Sequence, residues 1–397
     1  MHNLTRTKLF RVISRAVYPL ALILIYPLSL LKRKSPYPIF FFFDRYCIGG
    51  SQSVFLNILH AVEAEHKQVY FTRVPADTGL QESFYAVPNA ETRDINFWTC
   101  NIFFRFFAVH YYAFYINRHE HARVLGSNST FFHDLVPFLS KRVHKIDLFH
   151  NFQKFGKKGF EFFGLANYRY LDTRVVVDSF TLSKIQNQYK EHKVPDEYFE
   201  RVMMIEPAVE VPPVLKKDFS PPLKVLYAGR AGPQKRVWLL SKIAEHFIAA
   251  GLPVEFHFAG TMIEDLSETV KNNSVIYGEV NGYEKMQEVY SISHVVILTS
   301  RWEGFPMVVK EGMAFGCVPV VTALEGNKMH LTEGKNVLFI EAVEDEQEVV
   351  ALGIKRIEEL LLDPALLKRL SAEAYAYAER HFGMADFIRK YRKLLLA

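Results

Sequence analysis

Val-Val-Ile-Leu-Thr-Ser-Arg-Trp-Glu-Gly-Phe-Pro-Met-Val-Val-Lys-Glu-Gly-Met-Ala-Phe-Gly-Cys-Val-Pro-Val-Val-Thr-Ala-Leu-Glu-Gly, residues 295–326, runs from an apolar tetrapeptide through a turn and an amphipathic stretch into a second apolar run. Short apolar runs without alternation fit strands buried on both faces, as in parallel sheets, and the stretch between them fits a crossover helix. Such sheets bind ligands where strands end and helices begin. Two carboxylates, Glu303 and Glu311, occupy that position with seven residues between them. If one helix carried both, eight positions would set them about 12 Å apart, beyond the roughly 5 to 9.5 Å of a glycosidase acid pair. Binding roles fit the two acids better than a hydrolytic pair.

Upstream, Leu223 to Ala228 reads as a strand that ends in Gly229 and Arg230, and Lys235 follows at the expected start of a helix. Val237, Leu240, Ile243, Ala244, Phe247 and Ile248 mark one face of that helix, and Gly251 is placed to end it. Cations beside a helix N-terminus suit a diphosphate, because free N–H groups and the helix dipole act together there. Taken alone, Arg230 and Lys235 read more readily as solvated surface charges; coupled to the Glu303 segment, the phosphate reading is favoured. Further strands are expected at 254–258, 274–277, 294–298, 318–321 and 337–340. The first half predicts strands at 39–43, 68–74, 145–150, 174–179 and 202–205, with a helix marked by Val54, Phe55, Ile58, Leu59 and Val62. Between Glu206 and Pro222 five prolines and no apolar periodicity predict an extended hinge.

This set of motifs resembles the nucleotide-sugar signature of retaining glycosyltransferases with the GT-B fold, family 4, the "glycosyl transferases group 1" proteins. The resemblance implies an α/β protein of two Rossmann-like domains facing across a cleft, and it is strongest from Leu223 to Ile340. It implies that Arg230 and Lys235 hold the donor diphosphate, that Glu311 holds the ribose hydroxyls and that Glu303 approaches the donor sugar. Gly229, Gly304, Phe305, Met307 and Val308 would lie along the donor, the backbone N–H groups of the last four turned to sugar and phosphate. Tyr277 and Gly278 correspond to the family's strand and turn beside the base. Gly49 and Gly50 resemble its glycine-rich loop near the phosphate and acceptor, although any tight strand-to-helix turn uses such a pair. His150, after the strand ending at Phe149, corresponds to a histidine that faces the sugar; His133 and His144 compete for that place. The catalytic candidates are therefore Arg230, Lys235, Glu303 and His150.

The expected division is a basic and apolar membrane-associating segment over 1–35, an acceptor domain over 36–210 and a nucleotide-sugar domain over 211–397 whose last helix packs back on the acceptor domain. Seven cations fall within the first 34 residues of a chain whose net charge is +5, so the remainder is slightly acidic and a nucleic-acid partner is not expected. Residues 16–31 carry no charge but are too short for a confident span, and Lys32, Arg33 and Lys34 follow in place of a cleavage site. An anionic membrane surface is the expected partner of this segment; its two prolines and its cations fit a packed helix poorly. The aromatic stretch from Trp98 to Ile116 reads as a buried helix of the first domain, with a contact to an acceptor lipid or a membrane as the alternative. Three scattered cysteines indicate neither a disulfide framework nor a zinc site. The expected function is retaining, metal-independent transfer of a sugar from a nucleoside diphosphate to a glycan or lipid-linked acceptor at the cytoplasmic membrane face, in polysaccharide or glycoconjugate synthesis. No cofactor is expected. A nucleotide-sugar epimerase and a noncatalytic binding protein remain as alternatives, because the fold does not fix the reaction.

Overall fold

The computed structural model describes residues 3–34, 38–75, 77–152, 159–280 and 283–397. It resolves into two compact units, one of Met1–Glu206 together with Asp386–Ala397 and one of Pro207–Ala385.

In the first unit β1 (Ile39–Phe43), β2 (Lys67–Phe71), β3 (Ala90–Asp94), β4 (Arg123–Ser127), β5 (His144–Phe149), β6 (Thr173–Val176) and β7 (Val202–Met204) form a seven-stranded parallel sheet in the order 3-2-1-4-5-6-7. In the second, β8 (Leu223–Ala228), β9 (Val254–Ala259), β10 (Val275–Gly278), β11 (Val295–Leu298), β12 (Val318–Thr322) and β13 (Leu338–Ile340) form a six-stranded parallel sheet in the order 10-9-8-11-12-13. Both are doubly wound, and their order reverses between β1 and β4 and between β8 and β11. A crevice opens beyond the carboxyl ends of the strands at such a reversal. The two Rossmann-like sheets agree with the expected fold class.

Aromatic side chains dominate the core of the first unit. Phe40, Phe41, Phe42 and Phe43 are fully buried, Phe43 stacks on Phe55 at 4.2 Å, and Phe42 on Tyr70 at 5.1 Å. Each such burial contributes roughly 1.5–3 kcal/mol of transfer free energy. The second core is aliphatic: Val225, Leu240, Ile243, Ile297, Val320 and Ile340 are all inaccessible to solvent. Two strands escaped the sequence reading. β3, Ala-Glu-Thr-Arg-Asp, is a largely exposed edge, and β4 carries Gly126 at a point where any side chain would meet the Phe132 ring at 2.0 Å.

The segment over 206–222 has no regular structure, but it is not a free hinge. From Pro207 it belongs to the second unit, where Val209 N donates to Phe382 O at 2.9 Å and half-buried Lys217 donates to the carbonyl oxygens of Tyr290, at 2.9 Å, and Ser293. Burial lowers the Lys217 ammonium pKa below its ordinary range.

Residues Asn3–Leu24 and Tyr26–Leu31 are helices despite Pro19 and Pro27. The cations do not prevent packing, because four of them are held by partners in the first unit. Arg6 forms a forked pair with Asp134 at 3.0 and 3.2 Å, Arg11 donates to Asn167 Oδ1 at 2.7 Å, Arg15 to the Tyr170 hydroxyl at 3.1 Å, and Lys32 to Gln68 and Tyr70 at 2.8 Å. The buried stripe of the helix pair holds Thr7, Phe10, Ser14, Ala21, Ile25 and Ser29, a helical repeat of mostly small or polar residues. Among the described residues no helix is long and apolar enough to cross a membrane. The aromatic stretch forms two helices, Asn96–Cys100 and Ile102–Asn117. From Arg105 onward the second is mostly buried, as expected, whereas Phe97, Trp98, Ile102 and Phe103 are exposed.

Candidate functional site

Three loops meet at the carboxyl ends of β8, β9 and β10, beside the switch point of the second sheet, and glycines allow them to do so. After β8, Gly229 N donates to Ala259 O at 2.9 Å; after β9, Gly260 N donates to Gly278 O at 2.6 Å. Gly260 has a φ of +125°, and a Cβ there would stand 1.9 Å from Gly229 O. A side chain at position 260 would push the Arg230 loop away. Sequence reasoning missed Gly260, although the Phe258-Ala259-Gly260 strand end was a usable signal.

Lys235 and Glu303, widely separated in sequence, form an ion pair with Nζ to Oε1 at 2.5 Å. Lys235 lies in the turn closed by Lys235 N to Gly232 O at 3.0 Å, two residues short of the helix Val237–Ala249, so the expected position at the helix start is corrected by that margin. Glu303 likewise lies in the loop before the helix Met307–Ala314, which carries Glu311, so the two acids do not share a helix. Arg230 is exposed and makes no ion pair among the described residues; its carbonyl is held by the buried Tyr227 hydroxyl at 2.9 Å. Both helices lack a side-chain cap: Arg236 precedes one and Pro306 the other. Their first amides remain as donors for an anion or a sugar hydroxyl.

Arg236 fastens the loops together, and nothing in the sequence flagged it. Its backbone is left-handed, with φ +50° and ψ +49°, and its side chain is buried. Its guanidinium donates to Thr299 O at 2.8 Å, Ser300 O at 3.4 Å and Val343 O at 2.6 Å, while Thr299 Oγ1 donates to Arg236 O at 3.1 Å. A non-glycine residue in this conformation costs about 1–3 kcal/mol and persists only where the surroundings enforce it. Gln234 adds to the fastening, accepting from Arg301 N at 2.8 Å and donating to Trp302 O at 2.9 Å. The loop carrying Arg230 and Lys235 is thus tied to the loop carrying Glu303.

Glu311 accepts a hydrogen bond from the Tyr290 hydroxyl at 2.7 Å; burial raises its carboxyl above the usual range, and this bond works against the rise. Tyr290 is a second residue the sequence reading passed over. Gly304 is buried, and its carbonyl would lie 2.1 Å from a Cβ on Gly326, so Gly326 admits the turn. Phe305 stacks on His330 at 4.4 Å and Lys310 Nζ lies 5.3 Å from its ring centre, so its side chain anchors the turn. Met307 and Val308 open the helix, and Val308 packs against the core beside Tyr277. Tyr277 bonds His257 Nδ1 at 2.8 Å, and His257 Nε2 meets Glu255 at 2.6 Å. Gly278, at φ +64°, makes the turn after β10.

In the first unit, Gly49 and Gly50 begin the helix Gly50–Ala61 after β1, again with no side-chain cap. His150 directly follows β5 and is buried; its Nε2 has no hydrogen-bond partner among the described residues, and its ring meets Phe55 edge-on at 5.5 Å. Burial lowers its pKa to about 4. The competing histidines are engaged: His133 Nε2 lies 3.5 Å from Asp147 Oδ1, and His144 Nε2 bonds Thr173 Oγ1 at 3.0 Å. Asp44, immediately after β1, was not anticipated. Burial pushes its carboxyl up to about 6, and its Oδ1 has no hydrogen-bond partner among the described residues.

Residues 216–377 match the family model described as "Glycosyl transferases group 1". No curated protein matches the chain. Among solved structures, Anabaena Alr3699/HepE in complex with UDP and glucose aligns at a TM-score of 0.69 and 14% identity, over 90% of this chain and 99% of that one. The lipopolysaccharide outer core galactosyltransferase WaaB, in its apo form, aligns at 0.63 and 16% identity, over 89% and 98%. A variant of S. aureus TarM, in complex with fondaparinux, alpha-GlcNAc-glycerol and UDP, aligns at 0.59 and 16% identity, over 73% of this chain, which spans 59% of the TarM chain. At these identities the likeness is one of fold.

Proposed function

We propose that this protein is a retaining glycosyltransferase that moves a sugar from a nucleoside diphosphate to a glycan or lipid-linked acceptor. The observation that carries the reading is the joining of Arg230, Lys235 and Glu303 at the switch point of the second sheet, between two uncapped helix starts. Departure of a sugar places negative charge on the diphosphate, and fixed cations near it lower the barrier without reorganising. Arg230 has no internal anion to satisfy. Lys235 holds Glu303 in place and stands ready for the phosphate, so no metal is required in this reading. Glu311, fixed by Tyr290, faces the ribose; the amides of Gly304, Phe305, Met307 and Val308 face phosphate and sugar; Tyr277 and Gly278 flank the base. His150, neutral at pH 7, is suited to accept or donate one hydrogen bond to the sugar, and Gly49 and Gly50 border the acceptor.

The match over 216–377 and the folds of proteins solved with UDP or UDP-linked ligands support the reaction class. We place the protein at the inner face of a membrane, as a peripheral or monotopic enzyme of polysaccharide or glycoconjugate synthesis; the exposed apolar face of its first helices supports this. The test is a panel of nucleoside diphosphate sugars scored for thermal stabilisation and donor hydrolysis, since a bound donor raises apparent stability. A donor that stabilises and is hydrolysed is the expected result. Neither response from any common donor would remove the enzyme reading; rearrangement of the sugar without acceptor would make it an epimerase.

A further inference from the structure

The first two helices are amphipathic in the reverse of the usual sense. Their inward stripe carries Thr7, Ser14, Ala21 and Ser29 with only Phe10 and Ile25 as bulky apolar members, whereas their outward side carries Val12 at 65% exposure, Ile23 at 72% and Leu31 at 81%. A helix on a water-facing surface places its apolar residues toward the core. Here the small and polar residues allow close docking against the body, and the bulky apolar ones face away. An outward environment that is itself apolar explains that order.

The same side of the unit extends beyond the helices. Phe107 packs with Ala21 and Ile25; Phe103 meets Phe107 at 5.2 Å and Phe104 at 5.7 Å; Phe104 in turn meets Phe97 at 5.3 Å and Trp98 at 5.5 Å. This chain of rings joins the helix pair to an exposed aromatic turn, in which Phe97 is 63%, Trp98 49%, Ile102 59% and Phe103 62% exposed. Neither 1–43 nor 97–117 contains a single Asp or Glu. Lys8, Arg33 and Lys34 are exposed and make no ion pair among the described residues. Apolar bulk with tryptophan, no carboxylates and free cations complements a bilayer bearing anionic headgroups.

We infer that the outward face of the docked helix pair and the Phe97–Phe103 turn form one lipid-contact surface, seated on an anionic bilayer. The inference rests on the membrane reading above and extends it: the contact is a two-part face of the folded unit, not a detachable terminal anchor. The partner is lipid; a second copy of this chain is the competing occupant.

The test uses the full chain with vesicles of phosphatidylcholine containing 30% phosphatidylglycerol, and with phosphatidylcholine alone. Expected are flotation with the anionic vesicles, at least tenfold weaker binding of F97S/W98S/F103S, and quenching of tryptophan emission by brominated acyl chains that is lost in W98F. Circular dichroism and unfolding profiles of the variants separate lost contact from lost fold, and W98F is conservative enough to remain folded. If the chain binds but the triple variant binds equally well and quenching persists in W98F, the two-part face is wrong while membrane attachment stands. If the chain binds neither vesicle, both fall. If it self-associates in solution and the triple variant does not, the face is an interface between copies and the lipid assignment is overturned.

Discussion

The second unit packs its sheet with valine, leucine and isoleucine and gathers ionisable groups at the strand ends, where Lys235 meets Glu303 and Arg230 is free for an anion. The first unit, with nearly the same strand order, encloses ionisable groups within its body: Asp147 lies 3.1 Å from Arg174 and 3.5 Å from His133, and Asp134 lies 2.7 Å from Arg105 and 3.0 Å from Arg6. Strand order alone does not decide where charge goes. In the second unit the cations of the Arg230 loop stay at the rim, whereas in the first the enclosed Asp134 pairs with Arg105 and also holds Arg6 of the first helix.

The most direct way to break the comparison is at Asp147. Asp147→Ala leaves Arg174 buried without its carboxylate, and the expected loss is about 3–5 kcal/mol of unfolding free energy, read from denaturant titration. The double variant D147L/R174M should recover most of that loss. A single variant as stable as the parent would show that the enclosed charges do not hold the first unit. At the rim the same operation should act first on rate. Arg230→Ala and Lys235→Ala are each expected to lower turnover by about 10²–10³; Arg230→Ala should leave the melting temperature nearly unchanged, whereas Lys235→Ala strips the largely buried Glu303 of its cation and should also lower it. Unchanged transfer rates would remove the diphosphate assignment.

The comparison also bears on what the sequence could disclose. Strands β1 and β8 were legible to the residue: β1 is an unbroken apolar run, and β8 is apolar apart from Lys224 and ends in a glycine turn. The Glu303 turn and Arg230 with Lys235 were legible from residue type and spacing. Arg236 was not: it reads as one more surface cation, and only the fold turns its guanidinium onto the Thr299, Ser300 and Val343 carbonyls. Tyr290 was hidden because its role depends on Glu311, remote in the chain, whereas Gly260 stood at a legible strand end and was passed over. The inward stripe of the first helices was hidden for another reason: periodicity assigns the bulky face to the core, and here the small residues are buried. Seven cations in the first 34 residues pointed to an anionic membrane surface and away from a packed helix, yet four of them are held by partners in the first unit.

Acid sharpens the contrast. The folded pKa of His150, about 4, lies below its unfolded value, so the neutral imidazole favours the folded state. That contribution is complete above about pH 6.5 and is lost as pH falls toward 4, reaching at most ~3 kcal/mol. Burial also lowers His110, His119, His133 and His144 in the first unit, against His257 and His294 in the second. The first unit should therefore unfold first on acidification, and His150→Gln should flatten its pH profile between 6.5 and 4. Backbone hydrogen exchange at pH 5 resolves the two units; earlier opening of the second would contradict the assignment. The smallest expected effect is Tyr290→Phe. Removing the hydrogen bond to Glu311 should weaken nucleoside diphosphate binding about fivefold, ~1 kcal/mol, in a calorimetric titration.

The first unit draws on two separated stretches of chain. Its closing helix reaches it only after the whole second unit has been synthesised: Phe387, Tyr391 and Leu395 are buried, and Arg392 reaches Ala61 O at 3.5 Å. A nascent chain paused after Ala385 would carry a second unit with its full sequence and a first unit still lacking those side chains. The second unit therefore has its full sequence before the first does. It can mature while the first is still waiting for the side chains of its closing helix.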